Sequence, residues 1–163
     1  GGAGFYLWKE SLPEKVEKKR ATIDLSGKVN FSPNQWEEIA NRSDVGWLGL
    51  DGSGVRDEDL AKLGTMPGMT HLNLEGTKIS DKAAVAISSM KDLEWIGLVG
   101  TNVGSDTASF FKSLPKINTI RLDNTKIDDK GMKALAELPQ LGFLTVSKNT
   151  QILAKACWKL WFE

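Results

Sequence analysis

The sequence predicts an α/β solenoid: a parallel sheet on the concave side, helices on the convex side, and a cap at each end. Three observations predict it. Apolar residues recur in columns 24 residues apart. Each period opens on a Leu-x-Leu alternation, which gives a short strand with two residues pointing inward. A helix-spaced apolar set follows, and no unit this small buries its own apolar face, so each must stack on its neighbour.

Leu48, Leu72, Ile96, Ile120 and Leu144 form the first column, and Leu50, Leu74, Leu98, Leu122 and Val146 the second. Val55, Ile79, Val103 and Ile127 keep the same spacing. So do Leu63, Ile87, Phe111 and Leu135, and then Met66, Met90, Leu114 and Leu138. Ile23 and Leu25 open an earlier unit that is one residue longer. In the helical half, Ala84, Ile87 and Met90 are three apart and share one face. Asp57, Asp81, Asp106 and Asp129 precede these stretches, where a short carboxylate is expected to accept from N–H groups of the first helical turn. Pro67, Pro115 and Pro139 follow, and each is expected to stop its helix.

The run from Leu72 to Asp81, echoed by Ile120 to Asp129, resembles the leucine-rich repeat. More narrowly, it is similar to the 24-residue repeats abundant in bacterial proteins, notably of planctomycetes. In those repeats Thr often replaces the ladder Asn; here that position holds Ser53, Thr77, Thr101, Thr125 and Asn149, expected to bond to backbone groups of neighbouring turns. The resemblance covers Ile23 to about Asn149 and implies a leucine-rich-repeat solenoid over residues 21–163. Its parts are an N-cap at 21–44 containing Phe31, Trp36 and Ile39, repeats at 45–149, and a C-cap at 150–163. Ile152, Leu153, Ala156, Cys157 and Leu160 are the residues expected to cover the open end.

Residues 1–20 stand apart. The chain opens Gly1-Gly2-Ala3-Gly4, which reads as processing, truncation or a cloning scar. Phe5-Tyr6-Leu7-Trp8 before Lys9 fits either a segment packed on the first unit or the remnant of a membrane anchor. Under the second reading the only membrane link is that missing anchor. The compartment stays open, since one Cys suits a cytoplasmic or an extracytoplasmic setting. At the other end, Trp158, Trp161 and Phe162 fit simple capping or a weak homo-oligomeric contact of an otherwise monomeric chain.

The 163 residues suit one domain with a real core. Equal totals of 21 basic and 21 acidic residues argue against a dedicated nucleic-acid binder. One Cys excludes an intramolecular disulfide framework and a Cys-rich zinc site. No run of 18 apolar residues occurs, so no spanning helix is predicted. Six Trp against one Tyr is the unusual feature.

Strand alternation assigns the side chains of the concave face. One column across the sheet is Thr22, Trp47, His71, Trp95, Thr119 and Phe143. The next is Asp24, Gly49, Asn73, Gly97, Arg121 and Thr145, and the third is Ser26, Asp51, Glu75, Val99, Asp123 and Ser147. A glycine two residues after each of Trp47 and Trp95 leaves room beside the ring. Trp47, His71, Trp95 and Phe143 are the expected apolar anchors for a protein or peptide, with Asp51, Asn73, Glu75, Arg121 and Asp123 as polar contacts. The acidic column favours a basic partner. In the competing structural reading, the two Trp pack across His71 and stiffen the sheet. Two further readings are sugar stacking on the Trp rings, and an N-terminally tethered assembly subunit docking through its terminal aromatics.

No catalytic set emerges. His71 and Cys157 lie about four units apart, well over 10 Å at roughly 4.8 Å per strand. Asp51 is the nearest acidic candidate to pair with His71, since Glu75 is roughly 13 Å along the same strand. Val99 interrupts the acidic column, which leaves too few oxygens for a hard cation. Gly46, Gly49, Gly52 and Gly54 lack phosphate-loop spacing, so no cofactor is implied. Lys62, Lys82, Lys112, Lys130 and Lys133 belong to a solvated convex surface.

Overall fold

The computed structural model describes residues 18–153. The suggested anchor remnant with Trp8, and Ala156, Cys157, Trp158, Leu160, Trp161 and Phe162 of the C-cap, lie outside them. Six strands form one sheet in sequence order: β1 (Ala21–Asp24), β2 (Val45–Gly49), β3 (His71–Asn73), β4 (Trp95–Gly97), β5 (Thr119–Arg121) and β6 (Phe143–Thr145). Every adjacent pair is parallel. Between them run α1 (Pro33–Ala40), α2 (Asp57–Lys62), α3 (Ala84–Ser88), α4 (Ser105–Phe110) and α5 (Asp129–Ala136). None of these helices is long and apolar enough to cross a membrane.

The predicted columns become the core. Leu48, Leu72, Ile96 and Ile120 are all 0% exposed, and Ala84, Ile87 and Met90 are buried behind them. In the first unit Trp36 fills the interior, and the Phe31 ring leans on it at 4.5 Å between centroids. Burial fades at the far end. Ile117, Ile120 and Leu122 are fully covered, while their counterparts Leu141, Leu144 and Val146 are half-buried. An apolar cavity of about 250 Å³ opens there between α5 and β6.

The turn after each strand needs a left-handed residue. Gly27, Gly52, Gly76 and Gly100 occupy that position at positive φ, and Asn124 and Lys148 take it at φ 50° and 59°. Glycine adopts this conformation freely, Asn tolerates it, and Lys resists it. The N–H groups of the four glycines and of Asn124 continue the ladder beyond the strands, as in Gly76 N–H to the Val99 carbonyl at 2.7 Å.

Three local expectations are corrected. None of the four Asp residues caps its own helix; three of them tie one turn to the next. Asp57 accepts from the Ser80 N–H and hydroxyl, both at 2.8 Å. Asp81 Oδ1 accepts from Gly104 N–H at 2.8 Å, Thr107 N–H at 3.0 Å and the Thr107 hydroxyl at 2.6 Å. Asp129 accepts from Leu153 N–H at 2.8 Å, whereas Asp106 is simply exposed. Ser80 and Asp128 do the capping instead, accepting from Lys82 N–H and Gly131 N–H. The ladder threonines likewise bond within their own turns: the hydroxyls of Thr77, Thr101 and Thr125 donate to the carbonyls of Leu74, Leu98 and Leu122 at 2.6, 2.7 and 2.8 Å. Only Asn149 bridges turns, by donating to the Leu122 carbonyl and accepting from Thr125 N–H. Finally, α2 and α5 end at Lys62 and Ala136, several residues before Pro67 and Pro139, so proline is not what terminates them.

Candidate functional site

The register carries the aromatic column across the sheet. Thr22 pairs with Trp47, Trp47 with His71, His71 with Trp95, Trp95 with Thr119 and Thr119 with Phe143. Trp47, His71 and Trp95 are half-buried, and Phe143 is 54% exposed. His71 and Trp95 stack with centroids 6.1 Å apart and planes 20° from parallel. The His71 ring is tethered by its neighbour: Nδ1 lies 2.7 Å from the Thr70 hydroxyl. The candidate His71–Asp51 pair is not formed. Asp51 instead accepts from the Asn73 amide at 3.3 Å, because Asn73 stands nearer in the adjacent strand.

The glycines explain how indoles fit on a sheet face. A Cβ placed on Gly49 would stand 2.6 Å from Trp47 Cη2 and Cζ3, so the ring lies along its own strand over the bare backbone. On Gly97 a Cβ would meet Trp95 Cη2 at 2.7 Å, Glu75 Oε1 at 2.8 Å and Asn73 Oδ1 at 2.9 Å. Both rings take the space that the sequence leaves for them. This packing accounts for their partial burial, and it gives the stiffening role a physical basis beside any binding role.

Among the described residues, the polar columns carry one ion pair and several local hydrogen-bonded sets. Arg121 of β5 reaches across β4 to bring Nη1 2.8 Å from Glu75 Oε1. That oxygen is buried and accepts no well-aligned hydrogen bond, so the contact is an ion pair without hydrogen-bond direction. Burial pushes the Glu75 carboxyl above its ordinary value; Arg121 opposes this, while Asp51 and Asp123 add to it. Asp123 behaves oppositely. Burial alone would raise it, but hydrogen bonds from the Ser147 hydroxyl, the Thr145 hydroxyl and Ser147 N–H outweigh burial and hold it below the usual range. Asp24 is also lowered, by the Ser26 hydroxyl and N–H. Val99 separates Glu75 from Asp123 along the column, and among the described residues no three His, Asp or Glu converge to hold a metal ion.

Two groups beside this face were not singled out from sequence. Arg20 donates to the Ser43 carbonyl at 3.0 Å and lies against Gly46 and Gly68, on the rim of a groove that also takes in Trp47, Thr70 and His71. Thr145 and Ser147 fix the Asp123 carboxylate. The signal for both was spacing: Gly46 and Gly68 open a path for a long side chain, and Ser147 stands 24 residues after Asp123.

Comparison with known proteins agrees with this architecture. A family model described as leucine-rich repeat matches residues 67–88 and 113–136. No curated protein matches the sequence. Among solved structures, an internalin from Listeria monocytogenes is similar, with a TM-score of 0.59 at 22% identity. The match covers 76% of this chain and 34% of the internalin, so the chain spans about a third of that protein's length. The described residues thus fold as an α/β leucine-rich-repeat solenoid, with a six-stranded parallel sheet on one side and helices on the other.

Proposed function

We propose that the chain is a non-enzymatic binding module that recognises a protein or peptide through its concave sheet face. Trp47, His71, Trp95 and Phe143 act as apolar anchors, and Asp51, Asn73, Glu75, Arg121 and Asp123 select the polar partner groups. The observation that supports this reading best is the aromatic row itself. Two indoles laid over unsubstituted glycine flank His71 in register, and all three rings remain partly open to solvent beside a strip of carboxylates. Aromatic side chains offer large contact area at low entropic cost, and flanking charges give specificity.

The test is photocrosslinking in extracts of the source organism. A benzophenone side chain is placed at Phe143 on the sheet face or at Phe110 on the helical face. A defined adduct is expected from position 143 alone, and it should disappear in a folded Trp47→Ala, Trp95→Ala double variant. Equal adducts from both faces, or an adduct that survives the double variant, overturns the proposal. A glycan array run on the same pair of proteins separates peptide recognition from sugar stacking.

A further inference from the structure

The concave strip is charged asymmetrically. Asp24, Asp51, Glu75 and Asp123 stand on it, and Arg121 is the basic residue of the same three columns among the described residues. Asp123 is already satisfied by Thr145 and Ser147, and Asp51 is held by Asn73. Glu75 is different. Among the described residues, its only close cationic neighbour arrives from two strands away, at 2.8 Å and without hydrogen-bond alignment. The Arg121 side chain stays 40% exposed while making that contact. Gly97 carries no side chain, and the Trp95 ring, Glu75 Oε1 and Asn73 Oδ1 close over it, so Arg121 meets Glu75 at the edge of the indole.

We propose that Arg121 is an internal stand-in for a guanidinium of the partner: the face recognises an arginine-bearing extended segment, and Arg121 competes with it for Glu75. This rests on the concave-face reading above and adds the chemistry of the occupant. An incoming arginine takes the place of the Arg121 side chain, with its stem against the Trp95 ring, and sets its guanidinium on the Glu75 carboxylate. Arg121 then swings to solvent, a small motion for a half-exposed side chain. Arginine suits this place better than lysine, because a flat, weakly hydrated guanidinium both stacks on an indole and pairs with a carboxylate in a fork. The exchange replaces one ion pair with another, so the internal pair lowers apparent affinity by the fraction of time it is closed.

The probe is the peptide Ac-Gly-Arg-Gly-Arg-Gly-NH2, titrated against the labelled protein while the indole N–H resonances of Trp47 and Trp95 are followed. Its counterpart with citrulline keeps the shape and removes the charge. Arg121→Gln is expected to bind the arginine peptide about fivefold tighter than the unsubstituted chain, the size of a half-exposed ion pair. Glu75→Gln added to it should remove that gain, and the citrulline peptide should not bind. Arg121→Lys keeps the competing charge and is expected to resemble the unsubstituted chain. Equal or weaker binding by Arg121→Gln, equal binding of the citrulline peptide, or no binding by any variant overturns the competition. Crosslinking from position 143 that persists alongside such a result leaves the binding face standing and removes only the arginine. Loss of crosslinking removes the face itself.

Discussion

The Trp95 indole lies over Gly97, so close that a Cβ on the glycine would stand 2.7 Å from Cη2. The glycine two residues on is thus the seat of the ring. Gly97→Ala is expected to cost about 1 kcal/mol, because the atoms it meets are all ends of side chains that can give way. The ring then lifts toward water. Chemical denaturation reads the stability, and stronger acrylamide quenching of Trp95 emission reads the lift. Unchanged quenching would mean that the ring does not depend on the glycine.

Asp81 joins two turns through Gly104 and Thr107. Removing it strands two N–H donors, so Asp81→Ala is expected to lower stability by about 2 kcal/mol. Asp106 occupies a similar place in the next repeat but is exposed, and Asp106→Ala should stay within about 0.5 kcal/mol. Equal losses in urea unfolding would contradict the inter-turn role.

Thr101 places its hydroxyl 2.7 Å from the Leu98 carbonyl in a buried turn. Thr101→Val keeps the shape and removes the donor, at an expected cost of about 1 kcal/mol. Thermal unfolding of this variant checks the bond. Because the carbonyl also accepts from Thr101 N–H at 3.2 Å, a much larger loss would point to repacking instead.

Lys148 holds the left-handed turn position that glycine fills in four earlier units. Lys148→Gly is expected to stabilise the chain by up to about 1 kcal/mol, since the relief of a strained φ exceeds the added freedom of the unfolded chain. A raised melting temperature checks this, and a lowered one would show that the Lys side chain makes a compensating contact.

The pH dependence has two opposing parts. Burial raises Glu75 above its ordinary 4.5, so the folded state prefers the protonated form. That contribution is present below the ordinary value and is lost as pH rises through the folded one. Asp123, and Asp92 with its hydrogen bonds from Lys116 Nζ at 2.7 Å and Gly68 N–H at 2.8 Å, are lowered from 3.8, so their contributions are present above that value and are lost as pH falls. Glu75→Gln should therefore gain stability relative to the unsubstituted chain as pH rises from about 4 to about 7. A difference in melting temperature that stays flat across this window would show that Glu75 titrates as a free carboxylate does.

Periodicity made the scaffold legible. Leu72, Ile96 and Ile120 stand in the register that a spacing of 24 demands, and the same spacing placed Trp47, His71 and Trp95 side by side. The misreadings fell where one residue type has two uses. An Asp before a helix can cap it or reach the neighbouring turn, and only the distance to Ser80 or Gly104 separates these. Likewise, Asp51 lies four residues beyond Trp47, the register partner of His71, and the His71 ring meets the Thr70 hydroxyl instead.

Sequence by itself determined the repeat, the parallel order of strands, the buried columns and the composition of the sheet face, because all of these follow from alternation and stacking. Tertiary structure alone decided which groups on that face are already engaged. The indoles settle on Gly49 and Gly97, Thr145 and Ser147 hold Asp123, and Arg121 crosses a whole strand to Glu75. Side-chain reach, torsion and competition for the same carboxylate are properties of three-dimensional distance, and a 24-residue spacing does not encode them.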